Sequence, residues 1–396
     1  MAINAEQIQT GTHPVPIILS YGFRPFFILA AIWAVLGMAL WIPMLSGHDI
    51  LPLGFDPFSW HAHEFIFGYT SAVIAGFLLT AVPNWTRSAP VRGWPLAILV
   101  ILWLVGRLAI AFSGLLPWIL VAVLDLSAFI GLAALVIRGI SRSRNWRNLP
   151  VIGILLLFSI ADLVFLIEAG QGGYAANGYG MRIGLAAVVM LISFIGGRII
   201  PMFTRNWLIS QGVRTMPVLP NRADQTVLVL TALSLPGFIM WPGSLLVNLL
   251  LAVAGLANLW RLSRWGWQNT LAEPLVWVLH LGYLMLSLGF LAVAAAGFDL
   301  FQMAAARHVW MAGGIGVMTL AMMSRVSLGH TGRAIQGGTG TILCYLALFL
   351  SVVLRVAVGF WPGGTPLLHM AALFWILGFG GFALLYGPLL FRPRLG

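Results

Sequence analysis

Eight histidines stand in this chain of 396 residues, and the spacing of three of them suits metal or haem ligation. His61 and His63 fall in Phe55–Tyr69, FDPFSWHAHEFIFGY. Asp56 followed by Pro57 reads as a helix N-cap and first-turn proline. A helix starting there carries His61 and His63 about 6–9 Å inward. Residues two apart on a helix are about 200° apart, so one ion does not readily take both. Two cofactors on opposite faces would take one each. Glu64 follows His61 by three positions, on the same face, where it can accept from the imidazole and orient it. His308, preceded by Arg307, lies about 13 Å into a span that begins near Asp299. His61, His63 and His308 therefore share one layer near the outer face. Histidine as the main ligand fits haem iron or copper.

Three arginines, Arg107, Arg307 and Arg355, sit toward the outer ends of apolar stretches. A buried arginine needs an anionic partner. Glu64, Asp125, Asp162 and Glu168 are the few carboxylates at hand, and haem propionates would supply the missing charge. Asp125 and Asp162 lie nearer mid-span, as proton-relay groups or as partners of Arg107 or Arg198. Glu64 belongs with them as a proton carrier. His280, about two turns from the inner end of its span, and His330, in the loop Met323–Arg333 (MSRVSLGHTGR), could form a second, inner metal site. His280 could equally be hydrogen-bonded helix glue. His13, His48 and His369 read as solvated or packed polar surface. The chain has no phosphate-binding glycine loop, no Cys-x-x-Cys and no HExxH. The glycine pair in Gly196–Asn206, GGRIIPMFTRN, suits a closely packed helix end.

The elements that position these groups are membrane helices. The chain is 60% hydrophobic and 8% charged, against about 25% charged in soluble domains. That excludes a water-soluble enzyme, a disordered scaffold and a secreted disulfide domain. Apolar runs of roughly 20 residues predict one all-α transmembrane domain over 1–396. It has about twelve spans: 25–45, 57–83, 94–113, 115–138, 149–169, 180–202, 224–241, 243–262, 273–297, 300–324, 338–359 and 366–390. The connections near Gly114 and Pro242 are the shortest. Arginines follow the even-numbered spans, at Arg87, Arg138, Arg205, Arg261, Arg325 and Arg392 among others. The alternate loops hold Asp49, Asp56, Glu168 and Asp299. This alternation predicts both termini in the cytoplasm. It also accounts for the net charge of +11, all of it arginine, without a nucleic-acid partner. Trp41, Trp60, Trp94, Trp118, Trp146, Trp241 and Trp361 fall at span ends, where indoles suit the headgroup region. The single cysteine, Cys344, forms no intrachain disulfide.

Several motifs, in order, resemble the NnrS family: YGFRPFF at Tyr21–Phe27, WHAHEFIFGY at Trp60–Tyr69 and GFLLTAVPNWT at Gly76–Thr86. GGRIIPMFTRN, the ARHVW of Ala306–Trp310 and MSRVSLGHTGR extend the likeness to about Arg333. The resemblance implies a bacterial inner-membrane protein of nitric oxide metabolism or nitrosative-stress defence, with haem, of the b type, and copper. It implies His61, His63, His280, His308 and His330 as metal or haem ligands. The activity it leads us to expect is reduction of nitric oxide, with electrons from quinol or a redox protein. A non-catalytic nitric oxide binder and a metal or haem transporter are the alternatives.

Overall fold

A computed structural model describes residues 15–361 and 363–395, so His13 lies outside the described residues. Among these, every regular element is helical. Twelve helices are long and apolar enough to cross a membrane. They are α1 (Phe23–Leu45), α2 (Pro57–Thr86), α3 (Trp94–Ala111), α4 (Trp118–Ser143), α5 (Trp146–Gly170), α6 (Tyr179–Ser210), α7 (Arg222–Met240), α8 (Leu245–Ser263), α9 (Pro274–Gly297), α10 (Met303–His330), α11 (Thr339–Phe360) and α12 (Thr365–Leu390). Hydrocarbon offers no water to backbone amides and carbonyls, so a spanning segment must satisfy them within itself. At the helix ends, side chains take over. Asp56 Oδ1 accepts from the Ser59 amide at 2.9 Å with Pro57 in the first turn, as the sequence predicts. Ser244 caps α8, and Asn221 with Asp224 forms a capping box on α7.

Two helices overrun their expected ends. The stretch Gly196–Asn206 lies inside α6, not at a helix end, and His330 closes α10 instead of sitting in a loop. Polar residues alone do not stop these helices. Each stops where glycine takes up a left-handed conformation, Gly212 at φ +69° and Gly332 at φ +75°. The connections near Gly114 and Pro242 are genuine turns between separate helices. Trp94, Trp146, Trp241 and Trp361 are exposed as headgroup-level indoles should be, but Trp60 is fully buried and Trp41 nearly so.

Helices α2, α6 and α10 are buried over most of their length and form the centre of the bundle. Arg24, at the start of α1, donates to Leu390 O (2.7 Å) and Arg392 O (2.9 Å), so the two ends of the described chain meet at one end of the bundle. The Leu395 amide donates to Thr331 O there, bringing in the end of α10.

Close packing among central helices depends on glycine, because apolar contact alone gives helices no preference for each other over lipid. Gly197 of α6 faces the guanidinium of Arg261. Arg261, counted from the sequence among the arginines that mark the inner end of span eight, is buried in the last turn of α8. It donates to Asp224 (2.9 Å), Ser193 O (3.0 Å) and Tyr283 Oη (3.0 Å). A Cβ at position 197 would overlap that guanidinium. Gly197→Ala should therefore destabilise the detergent-solubilised protein by about 1–3 kcal/mol. An unchanged thermal midpoint would show that Arg261 can move aside.

Candidate functional site

The first turns of α2 separate its two histidines as the spacing predicts. The His61 ring stacks on Trp41 of α1 (centroids 4.5 Å, planes at 18°) and lies against Phe65 (4.7 Å). His63 turns the other way, toward α4 and α5. Immediately after His63 the helix widens into a π segment, Glu64–Tyr69. In α10 a second π segment, Val309–Gly316, follows directly on His308. Such segments are rare and recur at functional sites. The two helices are tied below them. Thr319 Oγ1 donates to Ile315 O, so the Tyr69 hydroxyl, 2.6 Å away, donates to Thr319.

His61 and His308 come together. Their rings are 6.5 Å apart, centroid to centroid, with planes at 12°. His308 Nδ1 lies 2.6 Å from Ala304 O. A carbonyl only accepts, so Nδ1 carries the proton and Nε2 is left with a lone pair for a metal. His61 Nδ1 is buried with no hydrogen-bond partner. Both rings line an open cavity of about 880 Å³ together with Trp41, Arg182, Arg307 and Arg355. A narrower pocket of about 80 Å³ continues from it past Met38, Phe65, Tyr69 and Trp375. None of the three arginines forms an ion pair among the described residues, although Asp299 also lines the cavity. Arg307 Nη1 donates to Asn177 (2.9 Å), while its Nε is buried and unpartnered. The cavity thus offers two imidazole ligands and an excess of positive charge.

A second cluster lies on the opposite face of α2, fully closed. His63 Nε2 is 3.1 Å from Asp125 Oδ2 and 3.1 Å from Asp162 Oδ1, and its Nδ1 is 3.1 Å from Glu64 Oε1. Arg107 donates to Glu64 Oε1 (2.6 Å) and also pairs with Asp125. The indole of Trp33 donates to Glu64 Oε2 at 2.6 Å. Glu64 does not orient His61, contrary to its three-residue spacing. Arg107 and Trp33 draw its carboxylate away, beside His63. Nor do Glu64 and Asp162 line the His61–His308 cavity. Arg107 is spent on Glu64 and Asp125. Arg198 does not reach either aspartate and lies over the Phe194 ring, 4.0 Å from its centroid.

A family model described as NnrS protein matches residues 17–394, nearly the whole described chain. The chain belongs to the NnrS family. No curated protein matches it. In this NnrS-family chain the remaining histidines are dispersed. His280 Nε2 is 2.9 Å from Thr204 Oγ1, whose proton goes to Ile200 O. Nε2 is therefore the donor, and Nδ1 is a buried lone pair without a partner. His330 packs on Tyr21 and Phe23 instead. No hydrogen bond or ring contact joins His280 to His330 among the described residues, so their expected inner pairing is not assembled. His48 is exposed, and the His369 Nδ1 lies 2.8 Å from Thr365 O. Sequence reasoning missed Arg182 and Trp33. Arg182 stands at the start of α6, on the side where arginine is otherwise scarce, and that was the available signal. Trp33 carried none.

Removing one partner from a buried ion network strands the others at a cost of about 3–5 kcal/mol. Arg107→Ala should thus lower the thermal midpoint in detergent sharply and reduce yield. Wild-type stability in that variant would mean that the three carboxylates do not need the guanidinium.

Proposed function

We propose that this protein binds haem and copper in the cavity between α1, α2, α10 and α11, and acts on nitric oxide there. The observation that carries this is the pairing of His61 and His308 in a cavity lined by three arginines without carboxylate partners. The donor set fits the group. Imidazole nitrogen suits iron and copper, and arginine forks suit the two carboxylates of a haem. The volume lies within the range of small-molecule and cofactor sites, ~300–1,000 Å³. For iron to keep an open face for nitric oxide, one of the two imidazoles would hold the iron and the other would hold the copper. When bound, these metals supply the redox centre at which two nitric oxide molecules, two electrons and two protons yield nitrous oxide and water. The chain does the rest. The Ala304 carbonyl holds the His308 tautomer, Trp41 and Phe65 clamp His61, and Arg182, Arg307 and Arg355 anchor the anionic edge. The apolar lining admits a small neutral gas from the lipid.

Electrons come from quinol or a redox protein. The arginine-rich end, where Arg24, Arg392 and the end of α10 meet, faces the cytoplasm of a bacterium across its inner membrane. A second reading, binding of nitric oxide without turnover, is favoured by one observation. Among the described residues Asp299 is the single carboxylate lining the cavity, and Glu64 and Asp162 are turned away from it.

An optical spectrum of the purified protein, oxidised, reduced and then exposed to nitric oxide without oxygen, tests both readings. A Soret band that shifts with nitric oxide is expected. His61→Ala or His308→Ala should lose haem or copper, whereas His369→Ala should keep both. Arg355→Gln should weaken haem retention about tenfold, as for one charge-assisted contact of ~1.5 kcal/mol. If both histidine variants keep the full wild-type spectrum and metal content, the cavity is not the site. Repeated consumption of nitric oxide with a reductant separates reductase from binder.

A further inference from the structure

The closed cluster on the other face of α2 has the full plan of a metal site. Its three inward-pointing atoms, His63 Nε2, Asp125 Oδ2 and Asp162 Oδ1, come from three different helices and converge within 4.8 Å of one another. The imidazole nitrogen stands 3.1 Å from each carboxylate oxygen. Ligands at right angles on one ion, with bonds of ~2.1 Å, are about 3 Å apart.

Hydrogen bonding alone accounts poorly for this arrangement. A single Nε2 has one proton or one lone pair, yet it faces two carboxylate oxygens at the same distance. Asp125 Oδ2 is buried and makes no hydrogen bond. In His63 and Asp125 the other polar atom is already engaged in the way that supports a ligand. His63 Nδ1 faces Glu64 Oε1 at 3.1 Å, the carboxylate–histidine pairing that fixes the tautomer of a metal-bound imidazole. Arg107 holds Asp125 by its Oδ1, leaving Oδ2 free. Charge points the same way. With His63 neutral, as a metal-bound imidazole is, three carboxylates against one guanidinium leave two negative charges in a region closed to solvent, and one divalent cation cancels them. A small cavity of about 10 Å³, lined by Ser71, Trp103, Asp125 and Asp162 among others, is about the room one water needs as a further ligand.

We propose that His63, Asp125 and Asp162 bind one divalent first-row metal ion, such as Fe2+, Mn2+ or Zn2+, apart from the His61–His308 centre. Nitrogen and carboxylate oxygen with no sulfur donor suit such ions and disfavour Cu+. Glu64 is the positioning residue for His63. This site does not depend on the haem reading.

The test uses full-length protein in detergent, stripped with chelator and titrated with Mn2+, followed by electron paramagnetic resonance and metal analysis. One Mn2+ per chain is expected, coupled to one imidazole nitrogen in spin-echo spectra. Asp162→Asn should abolish that binding while leaving haem content as in the wild type. Glu64→Gln should weaken it by about 10–100-fold. His308→Ala should keep the Mn2+, so failure of the haem centre and of this site are distinguishable. Wild-type protein that takes up no Mn2+, or a bound Mn2+ without nitrogen coupling, would overturn the proposal. So would a folded Asp162→Asn chain with wild-type Mn2+ affinity. Should Asp162→Asn fail to fold, the nitrogen coupling in the wild type decides.

Discussion

Burying charge in a helix bundle is the constraint on which the rest of this structure depends. Arg107 cannot stay in the interior of α3 without anions, and Glu64, Asp125 and Asp162 cannot stay without cations. Bringing them together fixes α2, α3, α4 and α5 against one another. It also fixes which way α2 faces. With Glu64 and His63 turned to that cluster, His61 is left on the opposite side, toward α1 and α10. Gly68, one turn below, makes this possible. A Cβ there would press on the Arg107 guanidinium and the Glu64 carboxylate.

The two π segments give the centre of the bundle its common plan. In α2 the widened stretch begins after His63, and in α10 it begins after His308. Extra residues in a turn shift the faces that follow, relative to a regular α-helix. Tyr69 closes the first segment and meets Thr319 just beyond the second. The histidines at the cavity are therefore carried by two helices that are locked together beneath it. That is firmer support than a loop would give, and it suits a site that must hold its ligands at fixed separation.

A second polar network lies on the arginine-rich side. Arg261 meets Asp224 and Tyr283, whose hydroxyl donates to Asn258 Oδ1 at 2.6 Å, and Asn258 reaches Thr231 at 2.9 Å. Gly197 gives the guanidinium its room. This explains the glycine pair of GGRIIPMFTRN as a packing device within a long helix. The side chains of Arg261, Asp224, Tyr283, Asn258 and Thr231 are all partnered, although the Ser193 hydroxyl and Arg264 Nη1 beside them are not, so the network reads as structural.

The sequence by itself determined the number of helices, because twenty apolar residues in hydrocarbon have no other way to satisfy their backbone. It determined the cap at Asp56 and Pro57 and the opposition of His61 and His63, since both follow from local geometry. The motifs also sufficed for the family. Tertiary structure alone decided partners. Glu64 has His61 on its helical face, yet it goes to His63 because Arg107 and Trp33, distant in sequence, pull harder than spacing can. Arg261 is indistinguishable in sequence from a loop arginine and becomes internal once Asp224 and Tyr283 are beside it. His280 and His330 read as a pair by depth but pack on different helices, because depth gives one coordinate and packing sets the other two.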